Sequence, residues 1–87
     1  MSKRLYVSNL PLSATDETLG VKFAQFGPVI SARVNRDPGT GRSLGSGVVE
    51  MQTAGGAQAA IERLNFADYD GRLMSVRRMA NPAKALN

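Results

Sequence analysis

Two stretches of this sequence are the most informative about its fold: LYVSNL at residues 5–10 and RSLGSGVVEM at residues 42–51. In the first stretch, apolar residues alternate with Tyr6 and Ser8, which is the two-residue period of a strand that buries one face. In the second stretch, a glycine-rich loop leads into residues that alternate in the same way. Both stretches therefore predict strands with one packed side and one open side.

Two further segments have the spacing of amphipathic helices, and each begins after a threonine that can act as an N-cap. The first follows Thr15 and ends at the Gly27-Pro28 pair, and the second follows Thr53 and extends to about Asn65. Because each helix has a single apolar stripe, both are expected to cover the same face of a sheet. The expected stripes are Leu19, Phe23 and Phe26 in the first helix and Ala57, Ala60, Ile61 and Leu64 in the second.

Two more strands complete the predicted architecture. Residues 29–36 alternate so that Ile30 and Val34 share the inward face. Residues 72–79 form the last predicted strand, after a turn at residues 68–71. The predicted fold class is therefore α+β: a βαββαβ split βαβ (ferredoxin-like) sandwich, with a four-stranded antiparallel sheet and two helices on one face.

Length and composition limit the possible functions. The 87 residues suffice for one small domain, with an expected core at about residues 4–80 and a short C-terminal tail at residues 81–87. The chain has no cysteine and no histidine, which excludes disulfides, Cys/His zinc sites and Ser-His triads. It also lacks an apolar run long enough to span a membrane. We therefore expect no membrane segment, no metal and no cofactor.

No pattern of residues predicts catalysis. Related ferredoxin-like proteins that bind heavy metals or hydrolyse acyl phosphates need a Cys-x-x-Cys motif or an Arg-bearing phosphate loop after the first strand, and this chain has Asn9-Leu10-Pro11-Leu12 there. The glycine-rich residues 39–47 lead into a strand, whereas a phosphate-binding loop leads into a helix. This loop is therefore expected to be a hairpin connection, and the protein is not expected to be an enzyme.

The charge balance indicates the kind of partner. The formal net charge is +4 and the isoelectric point is near 10.1. A small domain of this charge favours a polyanionic ligand.

We expect a monomer in the cytoplasm, or in the nucleus if the source is eukaryotic.

The two stretches that open this section resemble the paired RNP motifs of the RNA recognition motif family, and the resemblance covers about residues 4–80. It implies a module that binds single-stranded RNA on the open face of the sheet, with single-stranded DNA as a second ligand. Tyr6 stands where the family's hexamer places a base-stacking aromatic. The residues expected to contact RNA are Arg4, Tyr6, Ser8, Arg33, Asn35, Arg42, Leu44, Ser46, Val48, Arg77, Arg78 and Met79.

The second motif departs from the family pattern at its outward positions. The family's octamer usually carries two exposed aromatics, and Ser46 and Val48 occupy those places here. Because stacking is worth about 1–3 kcal/mol per base, the substitutions predict modest affinity for RNA. The inward positions Gly47, Val49 and Met51 still match, so the predicted fold is unaffected.

A second interpretation is a protein-interaction module on the same fold, with little or no RNA binding. Phe66, Tyr69 or the first helix would then be the docking points. Tyr6 and the arginines around it favour RNA, because a domain that binds only proteins needs neither.

Overall fold

A computed structural model describes residues 2–79 of the chain. Its helices and strands are β1 Arg4–Ser8, α1 Asp16–Ala24, β2 Val29–Arg36, β3 Ser43–Met51, α2 Ala54–Leu64, β4 Asp68–Tyr69, β5 Arg72–Leu73 and β6 Ser75–Arg78. The predicted βαββαβ order is confirmed, with a short hairpin of β4 and β5 added before the last strand. The predicted tail at residues 81–87, and the end of the predicted core at residue 80, lie outside the described residues.

The four long strands form one antiparallel sheet in the order β2-β3-β1-β6. Both helices pack on one face, where their apolar stripes meet the inward side chains of the strands. Neither helix within residues 2–79 is long and apolar enough to cross a membrane. The buried core includes Leu5, Val7, Val34, Val49, Met51 and Val76 from the sheet, and Leu19, Phe23, Ala57, Ala60 and Leu64 from the helices.

Both helices begin at the predicted threonine caps. The Oγ1 of Thr15 accepts a hydrogen bond from the backbone N–H of Thr18 at 3.1 Å, and the Oγ1 of Thr18 accepts one from the N–H of Thr15 at 2.9 Å. The Oγ1 of Thr53 accepts a hydrogen bond from the N–H of Gly56 at 2.9 Å. These bonds satisfy amide groups that the first helical turn leaves without partners.

The glycine at the centre of β3 is required by the packing of α1. A Cβ atom at Gly47 would lie 2.6 Å from the carbonyl oxygen of Arg33 and 3.1 Å from Cδ2 of Leu19. A separation of 2.6 Å between a carbon and a carbonyl oxygen is well inside van der Waals contact, so a side chain here would force the backbone apart. Gly47 therefore holds β3 close to both β2 and α1, with its neighbours Ser46 and Val48 on the open face.

One inward position of β2 was predicted wrongly. Val29 lies opposite Met51, and Ser31 lies opposite Glu50, so β2 carries one extra residue between these pairs. Such a bulge interrupts the alternation of side chains. As a result Val29 packs against the core, and Ile30, which was expected to face inward, is 59% exposed.

The predicted continuous last strand is also wrong, because it is interrupted at Met74. The N–H of Met74 donates to the carbonyl of Ala67 at 3.0 Å, and its carbonyl accepts from the N–H of Phe66 at 2.7 Å. These bonds hold Met74 against the segment that follows α2. The residues before it form the hairpin with β4, and the residues after it join the main sheet as β6. Met74 and Val76 are both buried, as predicted.

Side chains occupy a backbone donor on each edge strand of the sheet. The N–H of Val34 in β2 donates to Oδ1 of Asp16 at 2.8 Å, and the N–H of Val76 in β6 donates to Oδ1 of Asn65 at 3.0 Å. Unpaired donors on an edge strand are a template for pairing with another chain. These two bonds remove one such donor from each edge.

Candidate nucleic-acid interface

The open face of the sheet presents a row of four side chains that crosses all four strands. Tyr6 in β1 lies opposite Val48 in β3 and Arg77 in β6, and Val48 also lies opposite Arg33 in β2. Because both chain neighbours of Tyr6 are buried, strand alternation directs its ring to the open face. We call Arg33, Val48, Tyr6 and Arg77 the central row. It places one aromatic ring in the middle strands and an exposed guanidinium on each edge strand.

A second row, made only of small polar side chains, lies beside the central row. Ser8 is opposite both Ser46 in β3 and Ser75 in β6. Asn35 in β2 completes the row, because its Nδ2 donates to the Oγ of Ser46 at 3.1 Å. We call Asn35, Ser46, Ser8 and Ser75 the polar row. Its hydroxyl and amide groups lie on the same face as Tyr6 and can form hydrogen bonds with a bound ligand.

On the other side of the central row, an ion pair reduces the positive charge of the face. The Nε of Arg4 lies 3.8 Å from Oε1 of Glu50. A surface pair of this kind contributes about 0–1 kcal/mol to stability, but it partly neutralises Arg4. The two edge arginines of the central row therefore carry more of the positive charge of this face than Arg4 does. A depression of about 250 Å³ at this end is lined by Arg4, Ser31, Arg33, Val48, Glu50 and Met79.

Arg42 and Leu44 lie where the β2–β3 loop enters β3. Leu44 is 62% exposed, and Arg42 is also exposed. Arg42 shares a depression of about 370 Å³ with Leu12, Arg36 and Ser43. The sequence analysis did not predict that Leu12 and Arg36 line this depression together with Arg42. A register shift between Val34 and Arg36 breaks the alternation of β2. The two-residue period of a strand therefore does not predict on which face of the sheet Arg36 lies.

One predicted contact residue lies on the wrong face of the sheet. Arg78 is opposite the buried Leu5, and its Nη2 donates to Oε1 of Gln58 in α2 at 2.8 Å. This side chain therefore belongs to the helix-bearing side, and we leave it out of the interface. The signal was present in the sequence, since the alternation that turns Arg77 outward turns Arg78 inward.

The structure also bears on the docking points of the protein-interaction interpretation. Tyr69 is 9% exposed, and its hydroxyl donates to Oγ1 of Thr18 at 3.0 Å. The Nζ of Lys22 lies 4.6 Å from the centre of its ring. Tyr69 thus attaches the β4–β5 hairpin to α1 and cannot serve as a docking point. Phe66 is 69% exposed.

Comparison with known proteins identifies the family. The RNA recognition motif family matches residues 5–75, and the chain belongs to this family. The chain is 40% identical over 85 residues to "Glycine-rich RNA-binding protein 1" of Mycosarcoma maydis. That alignment covers 98% of this chain and 48% of the fungal protein, so the chain spans about half the length of this relative.

Solved structures of the same fold agree with this assignment. The structure of "RNA Binding Protein PG1" matches with a TM-score of 0.88 and 40% identity, covering 92% of this chain and 96% of that one. The structure of the "Rna15 RRM with bound RNA (GU)" matches with a TM-score of 0.85 and 26% identity, covering 99% of this chain and 95% of that one. The second of these shows a domain of this fold with RNA bound.

Proposed function

We propose that this protein binds single-stranded RNA across the open face of its sheet, and the central row is the observation that carries the proposal. Single-stranded RNA exposes flat bases and regularly spaced phosphates. Tyr6 offers a ring on which one base can stack, while Arg33 and Arg77 lie at the two edges of the same row. The RNA strand would cross the sheet with one base over Tyr6 and its phosphates towards Arg33 and Arg77.

The composition of the central row limits the affinity. Val48 stands next to Tyr6 where the family often has a second aromatic, and Ser46 stands where it has a third. Each absent platform removes about 1–3 kcal/mol of possible stacking. At about 1.4 kcal/mol per decade, two absent platforms weaken binding by one to four orders of magnitude relative to a fully aromatic face. Binding by this chain is therefore expected to be modest.

The proposal is tested by titrating the protein with a short unstructured oligoribonucleotide while following its backbone amide shifts. We expect the shift changes to cluster at Tyr6, Val48 and Arg33, and to be small in α1 and α2. Tyr6→Ala should weaken binding by about 1–3 kcal/mol, and Tyr6→Phe, which keeps the ring, is the matched control. Because Tyr6 points away from the core, neither variant should lower the melting temperature by more than a few degrees.

Two outcomes would contradict the proposal. The absence of any shift at high oligonucleotide concentration would favour the protein-interaction interpretation, with Phe66 as the docking point to examine. If Tyr6→Ala collapsed the fold but left binding unchanged, the side chain would belong to the packed face, and the register of β1 would be wrong by one residue.

The remaining expectations belong to the same proposal. Single-stranded DNA should bind too, because stacking on Tyr6 and contact with phosphates do not require a 2′-hydroxyl. A monomer is favoured by the side chains of Asp16 and Asn65, which occupy one donor on each edge strand. We propose one domain with its core at about residues 4–80, no catalytic activity, and a cytoplasmic location, or a nuclear one if the source is eukaryotic. Sedimentation velocity at two protein concentrations tests the monomer.

A further inference from the structure

We propose that the side chains of Asn35 and Ser46 together read the Watson–Crick edge of the base next to the one stacked on Tyr6. The inference rests on the proposed function and adds to it how the protein recognises a base. It also requires a ligand whose base edges are unpaired. The polar row supplies this recognition at the position where the family often places an aromatic.

The hydrogen bond between these two side chains determines what they offer to a ligand. Nδ2 of Asn35 donates to Oγ of Ser46 at 3.1 Å, and both residues are partly buried. A serine hydroxyl has one proton to donate, and a carboxamide has one oxygen to accept. The bond uses one acceptor site of Ser46 and one of the two N–H donors of Asn35, so the Ser46 proton, the Asn35 oxygen and the second Asn35 N–H remain. The pair therefore presents the Ser46 hydroxyl donor beside the Asn35 oxygen acceptor, and their mutual bond orients the two groups relative to each other.

An adjacent donor and acceptor is the pattern that complements the Watson–Crick edge of an unpaired base. In uracil, O4 can accept from the Ser46 hydroxyl while N3–H donates to Oδ1 of Asn35. This edge is occupied in a duplex and free in a single strand, where proteins can reach it. A ligand that cannot form these bonds leaves polar groups of the pair without partners and should therefore bind more weakly.

The position of the pair fits a base adjacent to the stacked one. Ser46 lies directly opposite Ser8, two residues along β1 from Tyr6. Diagonal neighbours of this kind are separated by about 7–8 Å in an antiparallel sheet. A pair displaced by this distance from Tyr6 lies beside the base that covers its ring, where the adjacent nucleotide is expected. Ser8, directly opposite Ser46, has a small side chain and leaves space for the base.

The test compares a short oligouridine with the same oligomer made of N3-methyluridine, using anisotropy titrations at fixed salt. Methylation removes the N3–H donor and blocks the edge, but it leaves the ring face available for stacking. We expect the methylated oligomer to bind the native protein about tenfold more weakly, which is the loss of one to two hydrogen bonds. In Asn35→Ala, which removes the acceptor for N3–H, the two oligomers should differ by less than about twofold, whereas Ser46→Ala keeps that acceptor and should reduce the difference only in part. The matched control is Ser31→Ala, which removes a hydroxyl from β2 outside the pair and should keep the tenfold difference.

The possible failures are distinguishable from one another. Equal binding of both oligomers by the native protein would overturn the inference and leave stacking on Tyr6 intact. A tenfold difference that persists in Asn35→Ala would also overturn it, because another group would then be reading the edge. If oligouridine produced no amide shift at Tyr6, the proposed function itself would fail. Thermal melts of each variant show whether it is folded, so that a smaller affinity difference between the two oligomers is not mistaken for loss of the fold.

Discussion

A single substitution on the central row tests whether stacking area limits the affinity of this protein. Val48→Phe adds a ring directly beside Tyr6, because the two residues are opposite each other in β1 and β3. Opposite side chains in an antiparallel pair have Cβ atoms about 4.5–5.5 Å apart, so the new ring would extend the existing platform. Ser46 is left unchanged, because replacing it would also break its hydrogen bond with Asn35.

The size of the effect follows from the gain and its costs. A new stacking platform is worth about 1–3 kcal/mol. Ordering a side chain on binding costs about 0.5–1.5 kcal/mol, and the apolar contact that Val48 already offers is replaced. The net gain should therefore be about 0.5–2 kcal/mol, which is roughly a 2- to 30-fold lower Kd. Folding stability should change by less than about 1 kcal/mol, since the side chain faces away from the core and phenylalanine suits a strand as well as valine does.

The assay is fluorescence anisotropy with one labelled, unstructured oligoribonucleotide at fixed salt and low protein concentration. Low concentration is needed because the variant exposes a larger apolar patch. The matched control is Val21→Phe, which makes the same chemical change at an exposed position of α1 on the helix-bearing side. An unchanged Kd in a folded Val48→Phe protein would refute the reasoning, since stacking area would then not limit binding. Equal tightening by Val21→Phe would refute it too, since the effect would be non-specific adhesion.

Three further predictions follow from separate parts of the structure. Arg33→Ala and Arg77→Ala should each lower the slope of log affinity against log salt by about 0.7, measured by titration at several salt concentrations, and unchanged slopes would remove both from the interface. Gly47→Ala should destabilise the fold by about 1–3 kcal/mol in denaturant melts, because the new Cβ clashes with the carbonyl of Arg33. In Gly20→Ala the new Cβ lies 3.5 Å from its nearest neighbour, so this control should stabilise the fold by up to about 1 kcal/mol. Tyr69→Phe removes the hydrogen bond to Thr18 in α1 and should lower the folding stability by about 0.5–1.5 kcal/mol, with RNA affinity unchanged. A change in RNA affinity would instead show that the helix-bearing side takes part in binding.

The parts of the fold that follow local periodicity were predictable from the sequence. Thr15 and Thr53 begin the two helices as expected, because capping depends on a few adjacent residues. The inward face of β3 was also predicted, because Gly47 and Val49 belong to an uninterrupted alternation. The outward face of the same strand follows automatically, since the side chains of a strand point alternately to opposite sides.

The parts that failed depend on where strands meet their partners. The bulge at Ile30 adds one residue to β2 relative to β3. The alternation within one strand does not show how that strand is aligned with its neighbour, so the bulge was not predictable from it. The interruption at Met74 arises from hydrogen bonds with Phe66 and Ala67, which precede it by several residues in another part of the fold. Arg78 is different, because strict alternation from Val76 already placed it on the packed side.

The alternation of β3 also explains how this chain can keep the fold of its family while changing its binding face. Gly47, Val49 and Met51 face the core, so the packing that defines the fold does not depend on the side chains between them. Substitutions at the outward positions 46 and 48 therefore act on the ligand and leave the core unchanged. In the proposed binding mode, one aromatic platform remains, so the arginines at the sheet edges would supply a larger share of the binding free energy, and that share carries no sequence information. Discrimination between bases would then depend on hydrogen bonds with base edges, which is the role proposed for the oriented pair of Asn35 and Ser46.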